Sequence, residues 1–285
     1  MVGSYAKCIV MSNFNSEAQF LKMDTQQYLD RISCEDCTSP TPGVLRSLQK
    51  AHLLSVPFEN LDIHYKIPIE LNARGIYEKV VIKRRGGFCY ELNSLFGELL
   101  SSLGFNVKLI SARVFNKERQ TFSPEFDHLA VIAKIDSVDY LADVGFGEFA
   151  FAPLKIETTA IQDDQRGAFI IERSDDPYYK VAKRVNGNWI PEYMFTLKER
   201  DLNEFREMCN YHQRSPLSHF TQNKFCSLAT EKGRITVTRD KIKITEAGMI
   251  TELSLKTEDE FLAALEKYFH IRINDNVPFP NTTPA

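Results

Sequence analysis

The residues best suited to chemistry lie in Arg84-Arg85-Gly86-Gly87-Phe88-Cys89-Tyr90-Glu91-Leu92-Asn93. Two glycines let the chain turn tightly. A helical stripe of Leu92, Phe96, Leu99 and Leu103 begins at or just after the cysteine, with Gly104 as its stop. A thiol at a helix N-terminus meets the positive end of the helix dipole and unpaired N–H groups, and both favour the thiolate. The same N–H groups can form an oxyanion hole. Cys89, three residues before Leu92, also fits the apolar stripe, and a free cysteine on such a stripe is ordinarily buried and inert.

A nucleophilic cysteine needs a base and a third group that orients the base. Of the six histidines, His128 alone opens a strand-like run, Asp127-His128-Leu129-Ala130-Val131-Ile132-Ala133. The next run, Tyr140-Leu141-Ala142-Asp143-Val144-Gly145-Phe146-Gly147, carries Asp143. If Asp136-Ser137 is a two-residue hairpin turn, Ile135 faces Val138 and His128 faces Gly145. Asp143 is then the diagonal neighbour of His128, roughly 7–8 Å away by backbone and bridgeable by side chains. A carboxylate among Leu141, Ala142 and Val144 also needs a reason to be buried. A three-residue turn would instead send one partner to the other face, leaving a strand-end histidine and a turn carboxylate.

These residues need positioning elements. The N-terminal third reads as helical: Asp24 fits an N-cap before Tyr28, Leu29 and Ile32, and Val44, Leu45, Leu48 and His52 form a second stripe that Pro57 ends. Short β-rich runs follow at 107–115, 129–135, 140–146, 168–172 and 178–184, with Asn186-Gly187-Asn188 as a turn, so the middle reads as an antiparallel sheet or small barrel. The polar stretch 197–209 reads as a connecting helix. Strands at 225–228, 234–238 and 241–245 precede an amphipathic helix from about Glu258 to Phe269. Asp163-Asp164-Gln165 is not distinctive.

The 285 residues suffice for about two or three domains with a sizeable core, and 43% hydrophobic with 26% charged residues is ordinary for a globular protein. A net charge of −3 gives no electrostatic case for nucleic acid or an anionic membrane, which leaves a small molecule as the expected partner. Residues 1–22 hold only the short apolar run 8–11, too brief for a signal core or a membrane span, and read as a natural extension or an expression remnant. Reduced thiols in the cytoplasm are the expectation for the six cysteines. Cys34-Glu35-Asp36-Cys37 lacks a second ligand pair for zinc and a βαβ context for redox work, so it reads as a coincidental loop pair, and no metal is expected. No Walker-type phosphate loop occurs.

The block 85–91, His128-Leu129 and the block 143–147 resemble, in order, the three active-site blocks of the arylamine N-acetyltransferases. Tyr28-Leu29-Asp30-Arg31-Ile32 is similar to that family's opening helix motif. Val56-Pro57-Phe58-Glu59-Asn60-Leu61 is similar to a segment lining its active site, and Phe225-Cys226-Ser227-Leu228 with Gly233-Arg234 to the start of its third domain. The likeness covers nearly everything after Met23. It implies an α+β fold with a cysteine-protease-like catalytic core: a helical N-terminal domain at 23–106, an antiparallel β-barrel at 107–196, a connecting helix and loop at 197–220, and an α/β lid at 221–285. It further implies Cys89 as the acetyl-accepting nucleophile, His128 as the base and Asp143 as the orienting carboxylate. Acetyl-CoA would be the co-substrate, and an aromatic amine or hydrazine the acceptor, in a ping-pong scheme. Phe58 and Phe146 would line the acceptor pocket, Val114 would border it, and Glu59 and Arg85 would pair in support of Cys89. Tyr211 and the backbone near Asp127 would contact CoA.

Two other readings use the same residues. A thiol amidase or hydrolase would pass the acyl group to water, and a binding protein could keep an inactive triad.

Overall fold

The computed structural model describes residues 23–156 and 159–273. The expected extension at 1–22 lies outside them, as do Cys8 and the last residues of the expected lid.

The chain opens with α1 (Thr25–Ile32), whose first turn is capped by Asp24 accepting from the Gln27 N–H at 3.1 Å. In α2 (Pro42–Ser55), Thr41 caps the start and Pro42 stands in the first turn; Pro57 follows two residues after the end. The buried Arg31 of α1 binds these pieces to the nucleophile loop. It donates to the carbonyls of Ser55 at 2.7 Å, Val80 at 3.1 Å, and Arg84 and Arg85 at 3.4 Å each. A two-residue strand β1 (Phe58–Glu59) and short helices α3 (Leu61–His64) and α4 (Ala73–Tyr77) lead to α5 (Cys89–Ser102).

Nine strands form one curled antiparallel sheet: β2 (Asn106–Asn116), β3 (Thr121–Phe122), β4 (His128–Ile135), β5 (Val138–Ala142), β6 (Leu154–Lys155), β7 (Gln162–Asp164), β8 (Gly167–Arg173), β9 (Tyr179–Val185) and β10 (Asn188–Phe195). Their order is β6-β5-β4-β2-β10-β9-β8-β7, with β3 paired to β2. The two ends of this path meet through side chains rather than a ladder. Gln162 brackets the Lys155 backbone at 2.8 and 3.1 Å, and Asp164 accepts from the N–H groups of Phe151 and Ala152 at 3.0 and 2.9 Å. Asp164, unremarkable in the sequence, thus helps close the barrel.

Strand β4 is buried on both faces. Val131 and Ala133 pack with Leu92, Leu95, Phe96 and Leu99 of α5, while Ala130 and Ile132 join Phe149, Phe169, Val181 and Phe195 inside the curl. That double burial explains its continuous apolar run where a one-sided strand would alternate. The hairpin forms as expected, with Ile135 opposite Val138. The extrapolated register does not hold: the β4–β5 ladder stops at Val131 opposite Ala142, and His128 instead pairs with Ala112 of β2.

After β10 the expected helix over 197–209 is replaced. The Arg200 N–H donates to the Leu109 carbonyl at 2.9 Å, which holds this stretch extended along β2. Asp201 then caps a 3-10 turn (Leu202–Phe205) that leads into α6 (Arg206–Arg214). Following α7 (His219–Gln222), a second sheet contains β11 (Phe225–Thr230), β12 (Gly233–Thr238), β13 (Lys241–Glu246) and β14 (Met249–Ser254), and α8 (Glu258–Phe269) covers it with Phe261, Leu265 and Phe269. β1 supplies this sheet's first strand, Phe58 pairing with Ser227. One short segment therefore joins the lid to the helical part. Phe58 also bridges Gly87, two residues before the cysteine.

Among the described residues no helix is long and apolar enough to cross a membrane. Cys34 and Cys37 face each other just after α1 with Cα atoms 5.8 Å apart, within reach of a disulfide, while Cys89, Cys209 and Cys226 are free thiols.

Candidate active site

Cys89 is the first residue of α5 and is 3% exposed. The tightness of the preceding turn comes from close approach rather than from left-handed glycine conformations. A Cβ on Gly86 would stand 2.0 Å from the Pro57 carbonyl oxygen, so any side chain there would push β1 away. Glu91 reaches back to accept from the Phe88 N–H at 3.1 Å, capping the helix with a carboxylate. The N–H groups of Glu91 and Leu92 both donate to the Phe88 carbonyl at 3.0 Å.

Beneath this turn lies a buried network of charges. Lys79 donates to Glu91 at 2.8 Å and pairs with Asp62 at 2.7 Å, while Arg85 pairs with Glu59 and with Asp62 at 2.8 Å each. The Glu59–Arg85 pair expected from the sequence is thus one edge of a five-residue cluster with Glu91, Lys79 and Asp62, of which Lys79 and Asp62 carried no sequence signal. Burial pushes the Asp62 carboxyl up, but Lys79 and Arg85 pull it further down, so it stays ionised; burial leaves Glu91 above its ordinary value despite Lys79. Lys79→Met would leave two buried carboxylates short of a cation. It should cost about 3–5 kcal/mol, read as a lower urea midpoint; an unchanged midpoint would show that the cluster does not hold the turn.

His128 Nε2 and Asp143 Oδ2 are 2.7 Å apart, both residues being buried. Asp143 sits just past the end of β5, where the chain leaves the sheet toward α5. The Val144 N–H donates to Asn93 Oδ1 at 2.9 Å, and the Asp143 N–H donates to Gln49 Oε1 at 3.2 Å. The carboxylate accepts four donors: His128 and the Tyr193 hydroxyl (2.9 Å) on Oδ2, the Asn93 amide (2.8 Å) and the Gly145 N–H (2.9 Å) on Oδ1. Burial and the neighbouring Asp143 push the Tyr193 phenol well above its ordinary range, so it remains a neutral donor. Asn93, Gln49 and Tyr193 do not stand out in the sequence. Asn93 lies four residues after Cys89, one helical turn on, and that spacing is a usable signal.

Gly145 lies against the cysteine: a Cβ there would stand 2.8 Å from Cys89 Cα. The thiol itself departs from the expectation of a dipole-stabilised thiolate. Burial pushes it well above the ordinary thiol range, with Asp127, Asp143 and Cys209 adding to the rise and the Leu129 backbone opposing it.

Phe146 packs edge-on against His128 (centroids 5.2 Å apart) and Tyr193 (5.0 Å). Phe58 and Phe146 share a narrow cleft with Leu53, Val56, Val144 and Ser227. Val114 does not line it: it is half-buried on β2, opposite Tyr193 across the β2–β10 pair. Asp127 lies 3.1 Å from His212 Nε2, and its carbonyl accepts from the Tyr90 hydroxyl at 3.3 Å. Tyr211 is 42% exposed on α6 and packs beside His212, so His212 links the two positions expected to contact CoA. No cluster of three or more metal-ligating side chains occurs among the described residues.

A family model described as N-acetyltransferase matches residues 43–277. An arylamine N-acetyltransferase of Mycolicibacterium smegmatis is 30% identical over 260 residues, covering 90% of this chain and 94% of that protein. The structure of the arylamine N-acetyltransferase from Salmonella typhimurium superposes with a TM-score of 0.82 at 27% identity, covering 88% of this chain and 92% of that one. A Bacillus cereus arylamine N-acetyltransferase, described as having a Cys-His-Glu catalytic triad, superposes with a TM-score of 0.81 at 25% identity, covering 87% and 98%. With its helical part, curled barrel and α/β lid, the chain belongs to the arylamine N-acetyltransferase family and is an acetyltransferase.

Proposed function

We propose that the protein transfers an acetyl group from acetyl-CoA to an aromatic amine or hydrazine through a thioester on Cys89. The observation that carries this reading is the 2.7 Å contact of His128 Nε2 with Asp143 Oδ2, whose other oxygen accepts from Gly145, the residue packed against Cys89 at the N-terminus of α5. With Nε2 committed to the carboxylate, Nδ1 is the nitrogen left to take the thiol proton. Because burial disfavours a lone thiolate here, the negative sulfur is carried only as a pair with the imidazolium, whose charge Asp143 stabilises.

Cys89 Sγ attacks the acetyl-CoA carbonyl as His128 accepts its proton. The tetrahedral intermediate collapses, the C–S bond to CoA breaks, and CoA takes the proton from His128 to leave as the free thiol. The amine then attacks the acetyl-cysteine, His128 accepts a proton from nitrogen, and that proton returns to Cys89 as the amide departs. The oxyanion is stabilised by the N–H groups of the first turn of α5, since no hydrogen bond holds the Cys89 or Tyr90 N–H among the described residues. Phe58 and Phe146 form flat apolar walls suited to an aromatic ring. Asp127 and Tyr211 are proposed to lie near CoA.

Incubation with acetyl-CoA and an aromatic amine tests the reading. Acetylated amine and free CoA should appear in equal amounts. Free CoA with acetate and no acetylated amine would instead identify a hydrolase.

A further inference from the structure

We propose that Arg234 is a specificity-determining residue that binds an anionic group, such as a carboxylate, on the acceptor's aromatic ring. The inference rests on the acceptor reading of the cleft given above. Arg234 lies on β12 of the lid and reaches across to the barrel. Its Nη1 donates to Ser227 Oγ at 2.8 Å and its Nη2 to the Gly147 carbonyl, while the buried Nε has no partner. Its hydrogen-bond partners among the described residues are a hydroxyl and a carbonyl rather than a carboxylate, and Glu148, the nearby acid, is exposed. Arg234 and its partner Ser227 line the cleft with Leu53, Val56, Phe58, Val144 and Phe146.

A cation among apolar side chains without a counter-charge is costly, and an anion entering the cleft would remove that cost. Burial and the neighbouring Arg166 depress Arg234 to about 10, and the exposed Glu148 offsets them only in part. The planar fork of a guanidinium matches a carboxylate in two parallel hydrogen bonds.

The distances suit a single ring. Gly145 lies against Cys89 and the Gly147 carbonyl accepts from Arg234, and the two residues of bent chain that separate these points span at most about 7 Å. A benzene ring carrying the amine at one end and a carboxylate at the other bridges that gap, lying against Phe58 and Phe146. The cleft has a volume of only about 10 Å³, room for one water. The acceptor must therefore part Arg234 from Gly147, and its carboxylate takes the place of that carbonyl.

The test compares 4-aminobenzoate with its uncharged methyl ester in wild-type protein and in Arg234→Met, with acetyl-CoA and, separately, 4-nitrophenyl acetate as donor. In a ping-pong scheme kcat/KM for the acceptor is the same whichever donor loads the enzyme. The acid-to-ester ratio of kcat/KM should fall roughly ten- to a hundredfold in Arg234→Met with both donors, the loss expected of one charged hydrogen-bonded pair. Arg234→Lys keeps the charge and should recover part of the ratio, which guards against a folding defect in the Met variant. An unchanged ratio overturns the proposal. A raised KM for acetyl-CoA with an unchanged ratio would assign the anion site to a CoA phosphate. Wild-type protein that acetylates neither acceptor from either donor would defeat the transfer reading itself, a result distinct from these.

Discussion

Replacing Cys89 with serine should abolish acetyl transfer, lowering kcat/KM by several orders of magnitude without unfolding the protein. Serine is nearly isosteric with cysteine, and Cys89 is packed among Ile63, Phe88, Tyr90 and Leu129, so the fold has little to lose. The chemistry has much to lose, because a hydroxyl is a far poorer nucleophile than a thiolate paired with imidazolium. Among the other described free cysteines, Cys209 and Cys226 are buried too, whereas Cys89 alone lies against Gly145 and the Leu129 backbone, the residue after His128. Folded Cys89→Ser protein that still transferred acetyl groups at a comparable rate would rule out Cys89 as the nucleophile.

Asp143→Asn should be nearly as damaging, for a reason the hydrogen bonds make specific. All four partners of the carboxylate are donors: His128 and Tyr193 on one oxygen, Asn93 and Gly145 on the other. Whichever way an asparagine amide turns, its NH2 faces two donors. Turned toward His128, it forces Nε2 to accept and puts the ring proton on Nδ1, the nitrogen that must take the thiol proton. Turned away, it opposes the Gly145 N–H and the Asn93 amide, and buried unsatisfied donors cost about 1–3 kcal/mol each. In a serine protease the equivalent change lowers kcat about 10⁴-fold, a value that belongs to that enzyme and not to this protein.

A loss of similar order in Cys89 acetylation is expected for Asp143→Asn. Its pH dependence should change as well. Burial raises the thiol, so Cys89 is protonated through neutral pH unless the imidazolium pairs with it. With that pairing weakened, the pH of half-maximal alkylation should move upward, past the free-thiol value of about 8.5. The thermal midpoint separates this from unfolding. Wild-type acetylation and alkylation in folded Asp143→Asn protein would make Asp143 structural.

Much of this arrangement is legible in the sequence because local rules govern it. Apolar spacing marks α5, Asp24 marks a cap, and two residues between Ile135 and Val138 mark a hairpin. Where tertiary contacts decide, the sequence is silent or misleading. Strand β10 escapes a pattern reading because Pro191 interrupts it, and the structure puts the register shift between Pro191 and Tyr193. Asp143 reaches His128 by leaving the sheet, and what turns it there is Asn93 and Gln49 on two helices, contacts that no strand pattern encodes. The cations under the Cys89 turn come from positions 79 and 85 and the acids from 59, 62 and 91, so only folding brings the five together. The environment of the thiol is only half legible, because helix-end polarity can be read from a motif, whereas desolvation depends on everything packed around it.

The sharpest check on the Cys89 thioester is the mass of the intact protein after incubation with acetyl-CoA and no acceptor, followed by peptide mapping. One added acetyl group per chain is expected, located on Cys89 and discharged when an aromatic amine is added. An acetyl group on Cys209, Cys226 or a lysine, or no adduct in protein that still acetylates the amine, would contradict it.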